Sequence, residues 1–359
     1  MNIKSLGFNE CFLTEPNLST ELNIGRVFSQ YRDVYKVVCE NGELIAEISG
    51  KFRFDVRNLS DYPAVGDFVT LDRDTNASGN AIIQSVLARK SAFIRKAAGT
   101  SNEEQIVAAN IDTVFICMSL NNDFNIRRLE RYLSIAWDSR AVPVIVLTKS
   151  DLCNDLAQKI LDVNTVAIGV DVLITTSISD YGYLQILEYI KERQTVAFIG
   201  SSGVGKSTLI NCLIGENTLA TKEIRNDDKG KHTTTRRELI LLPNGGMVID
   251  TPGMRELGLE SADLSKAFSD IDELSSSCKF IDCTHTSEPN CSVQQAIKDG
   301  ILSADRLTSY VKLKKEIKYE GLNSKQIETI KINEMFSSVG GIKNARKFAK
   351  EKNKKRQGF

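Results

Sequence analysis

The sequence predicts a multidomain protein with an N-terminal β-barrel, a central α/β domain and a C-terminal domain that is mainly α-helical. A chain of 359 residues is too long for one ordinary domain. Short strands separated by turn residues occupy residues 21–96, whereas strands alternate with helices from Asn110 onward. After Leu259 the chain becomes polar and helical. We therefore expect domains at residues 1–98, 99–259 and 260–359.

The N-terminal domain is predicted to be an OB-fold, because five or so short strands occur there without a convincing helix. Four of these strands lie at 25–28, 33–38, 43–48 and 67–71. Asn41-Gly42 is a strong signal for a tight hairpin between the second and third of them. Some barrels of this kind bind nucleic acid and many do not, so the pattern leaves RNA binding open.

The central domain is predicted to contain a mostly parallel sheet covered by helices on both faces. Its strands are continuous apolar runs, at 111–118, 142–147, 173–176 and 196–199. The segment 124–140 has apolar residues at helical spacing. Ligands of such sheets bind outside the carboxyl ends of the strands. We therefore expect the functional residues directly after these strands.

A phosphate-binding loop follows the strand at 196–199. The P-loop pattern is matched at every fixed position by Gly200, Ser201, Ser202, Gly203, Val204, Gly205, Lys206 and Ser207, and Thr208 continues into a helix. The glycines allow backbone N–H groups to surround the β-phosphate at the helix N-terminus. We expect Lys206 to bridge the β- and γ-phosphates and the Ser207 hydroxyl to bind Mg²⁺.

The tetrapeptide Thr148-Lys149-Ser150-Asp151 ends the strand at 142–147 and predicts that the base is guanine. It resembles the Asn-Lys-x-Asp motif of GTPases, with Thr in place of Asn. The Asp151 carboxylate can accept from both N1–H and the N2 amino group of guanine, a donor pair that adenine lacks. Lys149 is expected to lay its aliphatic stem on the ring. Because Thr148 lacks the amide that normally braces this loop, we expect a modest nucleotide affinity.

A second phosphate motif, Asp250-Thr251-Pro252-Gly253, follows the strand at 247–249. A carboxylate at a strand end, some forty residues after a P-loop, suits indirect coordination of Mg²⁺ by Asp250. The backbone N–H of Gly253 is placed to sense the γ-phosphate. Together with the P-loop, the motif predicts a nucleotide triphosphatase.

The polar segment 226–237 between these two motifs is typical of a mobile switch. One of its threonines should complete the Mg²⁺ coordination, and the spacing leaves Thr234 and Thr235 open. Met254 stands where many GTPases keep a Gln that orients the attacking water, a task that a thioether cannot perform. His232 is the imidazole nearest in sequence, so it is the candidate catalytic residue.

The order of the motifs predicts a circularly permuted P-loop GTPase domain. In ordinary GTPases the phosphate motifs come first. Here the base-reading motifs precede them, at 148–151 and at Ser177-Ile178, where a backbone N–H should meet the guanine O6. The support for Ser177 and Ile178 is positional only. Chain termini lie close enough together for permutation to preserve an assembled site. The second switch then leads directly into the C-terminal domain.

Four metal-ligand side chains lie within fourteen residues of the C-terminal domain: Cys278, Cys283, His285 and Cys291. A Cys₃His set is typical of one structural Zn²⁺ and leaves no open coordination position. A short polar segment also benefits from such a metal to hold its shape. The other five of the eight cysteines are scattered singly, as buried thiols are.

Charge and hydropathy indicate the kind of partner and the cellular compartment of the protein. The net charge is zero, yet residues 310–359 carry 14 Lys or Arg against 5 Glu, a net of +9 that the rest of the chain balances. A basic end on an otherwise acidic chain indicates a polyanionic partner. No apolar run is long enough to span a membrane and no signal peptide is evident. We expect a cytoplasmic protein without a membrane partner.

The chain resembles the bacterial RsgA (YjeQ/YloQ) ribosome-biogenesis GTPases over nearly its whole length. The resemblance rests on the permuted order, the run 230–237, the motif at 250–253 and the Cys/His segment 278–291. It implies an N-terminal OB-fold, a permuted GTPase and a zinc domain that act in late maturation of the small ribosomal subunit. The subunit and its rRNA would be the partners and would stimulate hydrolysis of GTP to GDP by a monomer.

The resemblance also implies that His232 occupies a position proposed to be catalytic in that family. Two departures are small: Thr148 replaces Asn, and Gly203 stands where potassium-dependent GTPases keep an Asn, which argues against a potassium requirement. Two other functions stay open. One is a nucleotide-gated rRNA-binding factor in which hydrolysis is incidental. The other is an ATP-dependent enzyme, which requires the motif at 148–151 to be accidental.

Overall fold

The computed structural model combines an N-terminal barrel, a mixed α/β core and C-terminal helices. It describes residues 2–13, 23–31, 33–75, 79–96, 104–176, 181–215, 238–250, 264, 267–286, 288–319, 324–335 and 344. The chain divides into two compact units, Met1–Tyr310 and Val311–Phe359. No helix within those ranges has the length and apolar character needed to cross a membrane.

The strands and helices alternate in the central part of the chain. The strands are β1 (Asn23–Tyr31), β2 (Val34–Cys39), β3 (Gly42–Ile48), β4 (Phe68–Leu71), β5 (Ala81–Val86), β6 (Ala92–Lys96), β7 (Glu104–Ala109), β8 (Thr113–Ser119), β9 (Val142–Thr148), β10 (Asp171–Ile174), β11 (Thr195–Ile199), β12 (Glu238–Leu241) and β13 (Met247–Asp250). The helices are α1 (Gly50–Asp55), α2 (Ile126–Asp138), α3 (Leu156–Val166), α4 (Tyr181–Glu188), α5 (Lys206–Ile214), α6 (Ser269–Ser276), α7 (Ser292–Lys298), α8 (Ala304–Tyr319) and α9 (Ser324–Met335).

The barrel is the five-stranded structure that the sequence predicts. Its strands pair in the closed order β1-β2-β3-β5-β4-β1, and only the β3–β5 pair is parallel. The predicted hairpin at Asn41-Gly42 joins β2 to β3, with Cys39 opposite Gly42. Inward-facing side chains such as Val27, Val37 and Ile83 fill the interior. The short helix α1 between β3 and β4 was not predicted.

The central sheet has the order β10-β9-β8-β11-β13-β12, and all pairs are parallel except β12 with β13. The predicted parallel strands are therefore confirmed, whereas β12 and α3 were not predicted. Apolar side chains of β8 and β11, such as Phe115 and Phe198, pack with Ile186 and Leu209 of the covering helices. This packing fixes the strand ends at which the predicted motifs lie.

The central sheet continues into the barrel. Ser29 of β1 lies opposite Glu238 of β12, which makes one sheet of eleven strands. The strands β6 and β7 follow the barrel and pair in antiparallel orientation as a separate two-stranded sheet. The domain bounds at 98 and 259 remain predictions.

The C-terminal part is helical, as predicted. In the first unit, α6 and α7 pack together, and Cys291 caps the N-terminus of α7, where its sulfur accepts from the backbone N–H of Gln294. The second unit contains the end of α8 and the helix α9. Within it, Lys331 lies 5.6 Å from the centroid of the Tyr319 ring.

Candidate nucleotide site and metal centre

The P-loop adopts a conformation that requires glycine. It connects β11 to α5, and Gly200, Gly203 and Gly205 have φ values of 145°, 74° and 108°. A Cβ on Gly200 would lie 2.4 Å from the carbonyl oxygen of Cys117, so no larger residue fits. Burial raises the pKa of the Cys117 thiol to about 12, which leaves it a neutral packing group under the loop. The loop therefore lies directly against β8.

Lys206 points into the P-loop. Its Nζ donates to the carbonyl oxygens of Gly200 and Ser201, each at 2.7 Å. Ser207 and Thr208 follow in the first turn of α5, and both are exposed. An ammonium group and two accessible hydroxyls thus lie at the N-terminus of a helix, where anions bind favourably.

The base-reading loop and the P-loop are tied together by Thr148. Its hydroxyl, which is buried, donates to the carbonyl oxygen of Val204 at 2.6 Å. Sequence reasoning expected the change from Asn to Thr to remove the brace of this loop. The structure shows that the hydroxyl supplies a brace of its own, so the physical ground for a modest nucleotide affinity disappears.

The Asp151 carboxylate is oriented by the next strand of the sheet. It lies in a 3₁₀ turn, Ser150–Leu152, and its Oδ1 accepts from the Thr176 hydroxyl at 2.6 Å. The Ser150 N–H donates to the Thr175 carbonyl oxygen at 3.2 Å. Lys149 adopts a left-handed conformation, with φ of 58°, at the start of this turn. The predicted loops after β9 and β10 therefore meet, and Asp151 is exposed at the junction.

Asp250 ends β13, which pairs in parallel with β11. The parallel pairing places Asp250 at the same edge of the sheet as the P-loop. Several predicted residues lie outside the described part of the chain: Ser177, Ile178, His232, Thr234, Thr235, Gly253 and Met254. The sheet therefore brings together the P-loop, Asp250 and the motif at 148–151.

Asp123 contacts the P-loop and was missed by sequence reasoning. It lies in the loop between β8 and α2, and its Oδ2 accepts from Ser201 Oγ at 2.6 Å. Burial raises the pKa of Asp123. Hydrogen bonds from Ser201 and Arg128 and the charge of Lys149 together lower it by more, so the pKa lies below its usual range. Its position after a central strand of the sheet was the available signal, but a lone Asp in a polar loop belongs to no motif.

The four predicted metal ligands converge. The Cys278, Cys283 and Cys291 sulfurs and a ring nitrogen of His285 lie within 4.8 Å of one another. The Cys278–Cys291 sulfur distance is 3.9 Å, and His285 Nδ1 lies 3.7 and 3.5 Å from these sulfurs. A tetrahedral zinc ion has edges of about 3.8 Å between sulfurs and about 3.6 Å between sulfur and nitrogen. The donor set and its spacing fit Zn²⁺.

The surroundings of the cluster orient the ligands. His285 Nε2 lies 3.0 Å from Ser275 Oγ, which leaves Nδ1 facing the sulfurs, as in metal-bound histidines. Burial raises the pKa of the Cys278 thiol, but hydrogen bonds from the backbone of Ser292 and Val293 and from the other two cysteines together lower it by more, whereas burial raises the pKa of Cys283 to about 11. The net shift at Cys278 favours the thiolate, which is the form that binds metal.

The chain segment around His285 is held by one carboxylate. Glu288 accepts from the backbone N–H groups of Thr284 and Thr286 at 2.8 and 2.9 Å, and also from the Thr284 hydroxyl. These hydrogen bonds, with the Thr284 hydroxyl first, lower the pKa of Glu288 to about 2. His285 itself has a left-handed φ of 60°. Polar contacts within the chain therefore help to shape this loop.

Comparison with known proteins finds the same family in sequence and in structure. A family model, the RsgA GTPase, matches residues 86–260. The small ribosomal subunit biogenesis GTPase RsgA 2 of Lactiplantibacillus plantarum is 51% identical over 324 residues, 90% of this chain and 91% of that protein. An RsgA 1 of Listeria innocua is 46% identical over 322 residues, 89% of this chain and 90% of that protein.

Two solved structures have a similar fold. YjeQ from Thermotoga maritima has a TM-score of 0.62 and 27% identity, and the match covers 82% of this chain and 98% of that one. YloQ, described as a circularly permuted GTPase, has a TM-score of 0.61 and 27% identity, with 86% and 100% coverage. The similarity therefore extends from the barrel into the C-terminal helices.

Proposed function

This chain belongs to the RsgA GTPase family, and from that premise we propose that it binds the small ribosomal subunit and assists its late maturation. It hydrolyses GTP to GDP and phosphate, and the subunit stimulates this hydrolysis. The observation that carries the subunit role is the 51% identity, over 90% of this chain, with a small ribosomal subunit biogenesis GTPase. The GTPase activity is supported by the hydrogen bond from Thr148 in the base-reading loop to Val204 in the P-loop. It supports one nucleotide site built from motifs that are permuted in sequence.

The phosphates are proposed to bind along the residues 200–208. The Lys206 ammonium, which bonds to Gly200 and Ser201 of its own loop, then exchanges these carbonyl oxygens for phosphate oxygens. The exchange keeps the ammonium hydrogen-bonded with and without nucleotide, and its charge favours the anionic phosphate oxygens over the neutral carbonyl oxygens. Gly253 is proposed to contact the γ-phosphate.

Mg²⁺ is proposed to be held by the Ser207 hydroxyl and by Thr234 or Thr235, with Asp250 contributing through water. Ser207 is exposed in the first turn of α5, and Asp250 ends the strand beside the P-loop strand, so the described donors fit a hard cation with oxygen ligands. When bound with GTP, this ion neutralises charge on the β- and γ-phosphates.

Guanine is proposed to bind at the base-reading loop. Thr176 donates to one oxygen of Asp151, which orients the carboxylate towards the base. The other side chains of the site are Lys149, whose stem covers the ring, and Ser150; Ser177 and Ile178 provide the backbone N–H for the guanine O6. A carboxylate fixed by a neighbouring hydroxyl discriminates between bases more strongly than a mobile one.

His232 is proposed as the catalytic residue that positions the attacking water. His232→Ala should reduce the subunit-stimulated turnover by about 10²-fold or more and leave GTP affinity nearly unchanged, as expected for a positioning or acid–base group. Single-turnover hydrolysis with small subunits present measures this. Undiminished turnover of the variant would mean that the small subunit, and not His232, supplies the catalytic group. An equal rate of wild type with and without subunits would favour a nucleotide-gated rRNA-binding factor.

One structural zinc ion is proposed at Cys278, Cys283, His285 and Cys291. Bound there, it would cross-link α6, α7 and the loop between them, and would supply no chemistry to the GTPase site. Metal analysis should give about one zinc per chain, and Cys283→Ser should lose it. GTP binding should survive this loss. Metal-free wild type with a folded C-terminal region would contradict the assignment.

The partner surface is proposed to include the basic residues from Lys343 onward, which would contact rRNA from a monomer in the cytoplasm. Removing residues 343–359 should weaken binding to the subunit and flatten its dependence on salt, because fewer counterions are released. Equal affinities of the full and shortened chains across a salt series would assign these residues no role.

The experiment that tests the base is the substitution Asp151→Asn. The amide donates where guanine also donates, so GTP affinity should fall by about 30- to 1,000-fold while xanthosine triphosphate affinity rises. Asp162→Asn, on the neighbouring helix α3, is the matched control and should bind as wild type does. Unchanged GTP affinity of Asp151→Asn would refute the base-reading assignment. Equilibrium titration with both nucleotides measures the outcome.

A further inference from the structure

The loop after β8 carries a carboxylate that the proposed GTPase mechanism does not use. β8 pairs with β9 on one side and with β11 on the other, so its carboxyl end lies between the base-reading loop and the P-loop. We propose that Asp123 in this loop is a positioning residue, which fixes the P-loop through Ser201 and thereby sets the affinity for both GTP and GDP. The inference rests on the proposed GTPase function and extends it.

The loop that presents Asp123 is itself firmly built. The Asn121 side chain accepts from Ser119 Oγ at 2.8 Å and from the Asp123 N–H at 3.1 Å. Arg128 Nη1 donates to both oxygens of Asp123, at 2.9 and 2.8 Å. Asn125 caps α2 by accepting from the Arg128 N–H. Both carboxylate oxygens and the backbone N–H of Asp123 are therefore held by residues outside the P-loop.

Ser201 is held from two sides. Its hydroxyl donates to Asp123 at 2.6 Å, and its carbonyl oxygen accepts from Lys206 at 2.7 Å. Lys206 is proposed to leave this oxygen when phosphate binds, so the contact with Asp123 is the one that remains. At the other end of the loop, Thr148 holds Val204. Ser202 and Gly203 lie between these two anchors, directly before the phosphate-binding backbone at the N-terminus of α5. Removing the anchor at Ser201 leaves that half of the loop to be ordered by the nucleotide itself, which costs binding free energy.

A carboxylate beside a phosphate-binding loop needs positive neighbours, or it would repel the nucleotide. Arg128 forms an ion pair with Asp123, and the charge of Lys149 in the base-reading loop also lowers the pKa of Asp123. These three side chains together carry one net positive charge. The carboxylate can therefore serve as an anchor without making the site unfavourable for phosphate.

The role predicted for Asp123 differs from that of a catalytic residue. It contacts the P-loop through Ser201 and leaves the phosphates to the backbone and Lys206. A loosened P-loop binds substrate, transition state and product more weakly by similar factors. Loss of such uniform binding raises KM and leaves kcat unchanged, whereas loss of a catalytic group lowers kcat.

The test compares four variants of the full-length protein with wild type: Asp123→Ala, Ser201→Ala, the double variant, and the control Asn122→Ala in the same loop. Affinities for GDP and GTP are measured by titration, and kcat with small subunits present. Each single variant should weaken both nucleotides by about tenfold, as for a lost hydrogen bond to a charged group. The double variant should be no weaker than either single one, because both remove the same contact. Asn122 is exposed, so its variant should match wild type.

Every outcome decides between the two proposals. Wild-type affinity in both single variants, independent losses in the double variant, or a fall in kcat would overturn the role of Asp123. Failure of the wild type to bind guanine nucleotides would overturn the GTPase function instead. If Asp123→Ala unfolds, Ser201→Ala, which removes only a hydroxyl, decides alone. Asp123→Asn keeps an acceptor for Ser201 and should recover most of the affinity; no recovery would mean that only the charge matters.

Discussion

Two buried arginines, Arg26 and Arg306, each join a neighbouring region to the central α/β domain. Arg26 lies on β1 of the barrel and is 1% exposed, and Arg306 lies on α8 and is 7% exposed. Both guanidinium groups stack over a ring: Arg26 is 4.9 Å from the centroid of Phe68, and Arg306 is 4.8 Å from that of Phe268. Since burial and stacking are alike, the hydrogen-bond partners distinguish the two junctions.

The Arg26 junction is made of neutral acceptors. They are the carbonyl oxygens of Leu6, Gly66 and Asn110, the Thr195 hydroxyl and the Met247 sulfur. Burial lowers the pKa of Arg26 to about 10, and the charges of Asp112 and Asp67 oppose this shift without bonding to the guanidinium. Arg26 is therefore a buried cation that binds only neutral groups, so its removal leaves no unpaired charge among its hydrogen-bond partners.

The Arg306 junction is an ion-paired one. The guanidinium donates to Glu130 of α2 at 2.9 Å and to both oxygens of Asp270 of α6 at 2.6 and 2.8 Å. Glu130 is 2% exposed. Burial raises its pKa, and hydrogen bonds from Ser309 and Arg306 oppose that rise. Without Arg306, a buried carboxylate would remain.

The two junctions also differ in their position in the fold relative to the nucleotide site. Thr195 and Met247 begin β11 and β13, so Arg26 contacts the amino ends of these strands, opposite the P-loop edge. Glu130 lies two residues after Arg128, which binds Asp123 beside the P-loop. Only the Arg306 junction shares a helix with the nucleotide site. The helix α2 thus contacts both the loop beside the P-loop and the Arg306 junction.

The largest effect is expected from Arg306→Met. Methionine keeps much of the side-chain volume but leaves Glu130 buried and uncompensated, which should cost about 3–5 kcal/mol of unfolding free energy. The pKa of Glu130 should then rise further, so the folded state retains a proton that the unfolded chain loses above about pH 4.3. The deficit should therefore grow as pH rises from 5 to 7. Urea unfolding at both pH values measures it; a deficit independent of pH would mean that Glu130 finds another partner.

Arg26→Met should cost less. Five acceptors lose a donor, but the Gly66 carbonyl keeps that of Asn110, no charge is left unpaired and a desolvated cation is removed, so we expect a net loss of about 1–3 kcal/mol. Asp67 loses the charge of Arg26 but keeps its ion pair with Arg89, so the loss should change less between pH 5 and 7 than that of Arg306→Met. An effect as large as that of Arg306→Met would show that cation stacking over Phe68, and not the hydrogen-bond partners, dominates both junctions.

Removing both Arg306 and Glu130 separates the effect of the unpaired charge from that of packing at this junction. The double variant Arg306→Met/Glu130→Leu has no stranded carboxylate at Glu130, and the partly exposed Asp270 can be hydrated. Its stability should return to within about 1 kcal/mol of wild type, since well-packed apolar residues often replace a buried ion pair without loss. Continued instability of the double variant would mean that packing around α2, and not charge, explains the single variant.

The sequence predicted the parts of the site that are local. The P-loop, the motif at 148–151 and the four proposed zinc ligands each lie within a short segment, and their residue types follow from the chemistry proposed for them. The barrel strands and the parallel strands of the core were also predicted, because alternation and continuous apolar runs are local patterns. Their assembly at one edge of the sheet follows from the parallel order.

The missed contacts join segments far apart in sequence. Asp123 meets Ser201, Arg26 meets Thr195 and Arg306 meets Glu130 across separations of 78, 169 and 176 residues. Arg26 would be assigned to the solvent face, because its neighbours Gly25 and Val27 face the barrel interior by period-two alternation. It is buried because the central sheet packs on the outside of β1. No local pattern carries that information.

The smallest effect is expected at a second ion pair between the same two helices. Arg127 of α2 lies 3.1 Å from Asp305 of α8, with side chains 52% and 87% exposed. Arg127 lies three residues before Glu130 and Asp305 one before Arg306, so the basic and acidic residues have exchanged helices. Water already solvates both charges, so Arg127→Ala should cost about 0.2–1 kcal/mol. The loss should vanish in 1 M salt, where the screening length is about 3 Å. Urea unfolding in low and high salt measures both points. A loss near that of Arg306→Met would mean that contact between α2 and α8, and not desolvation of the paired charges, makes the junction strong.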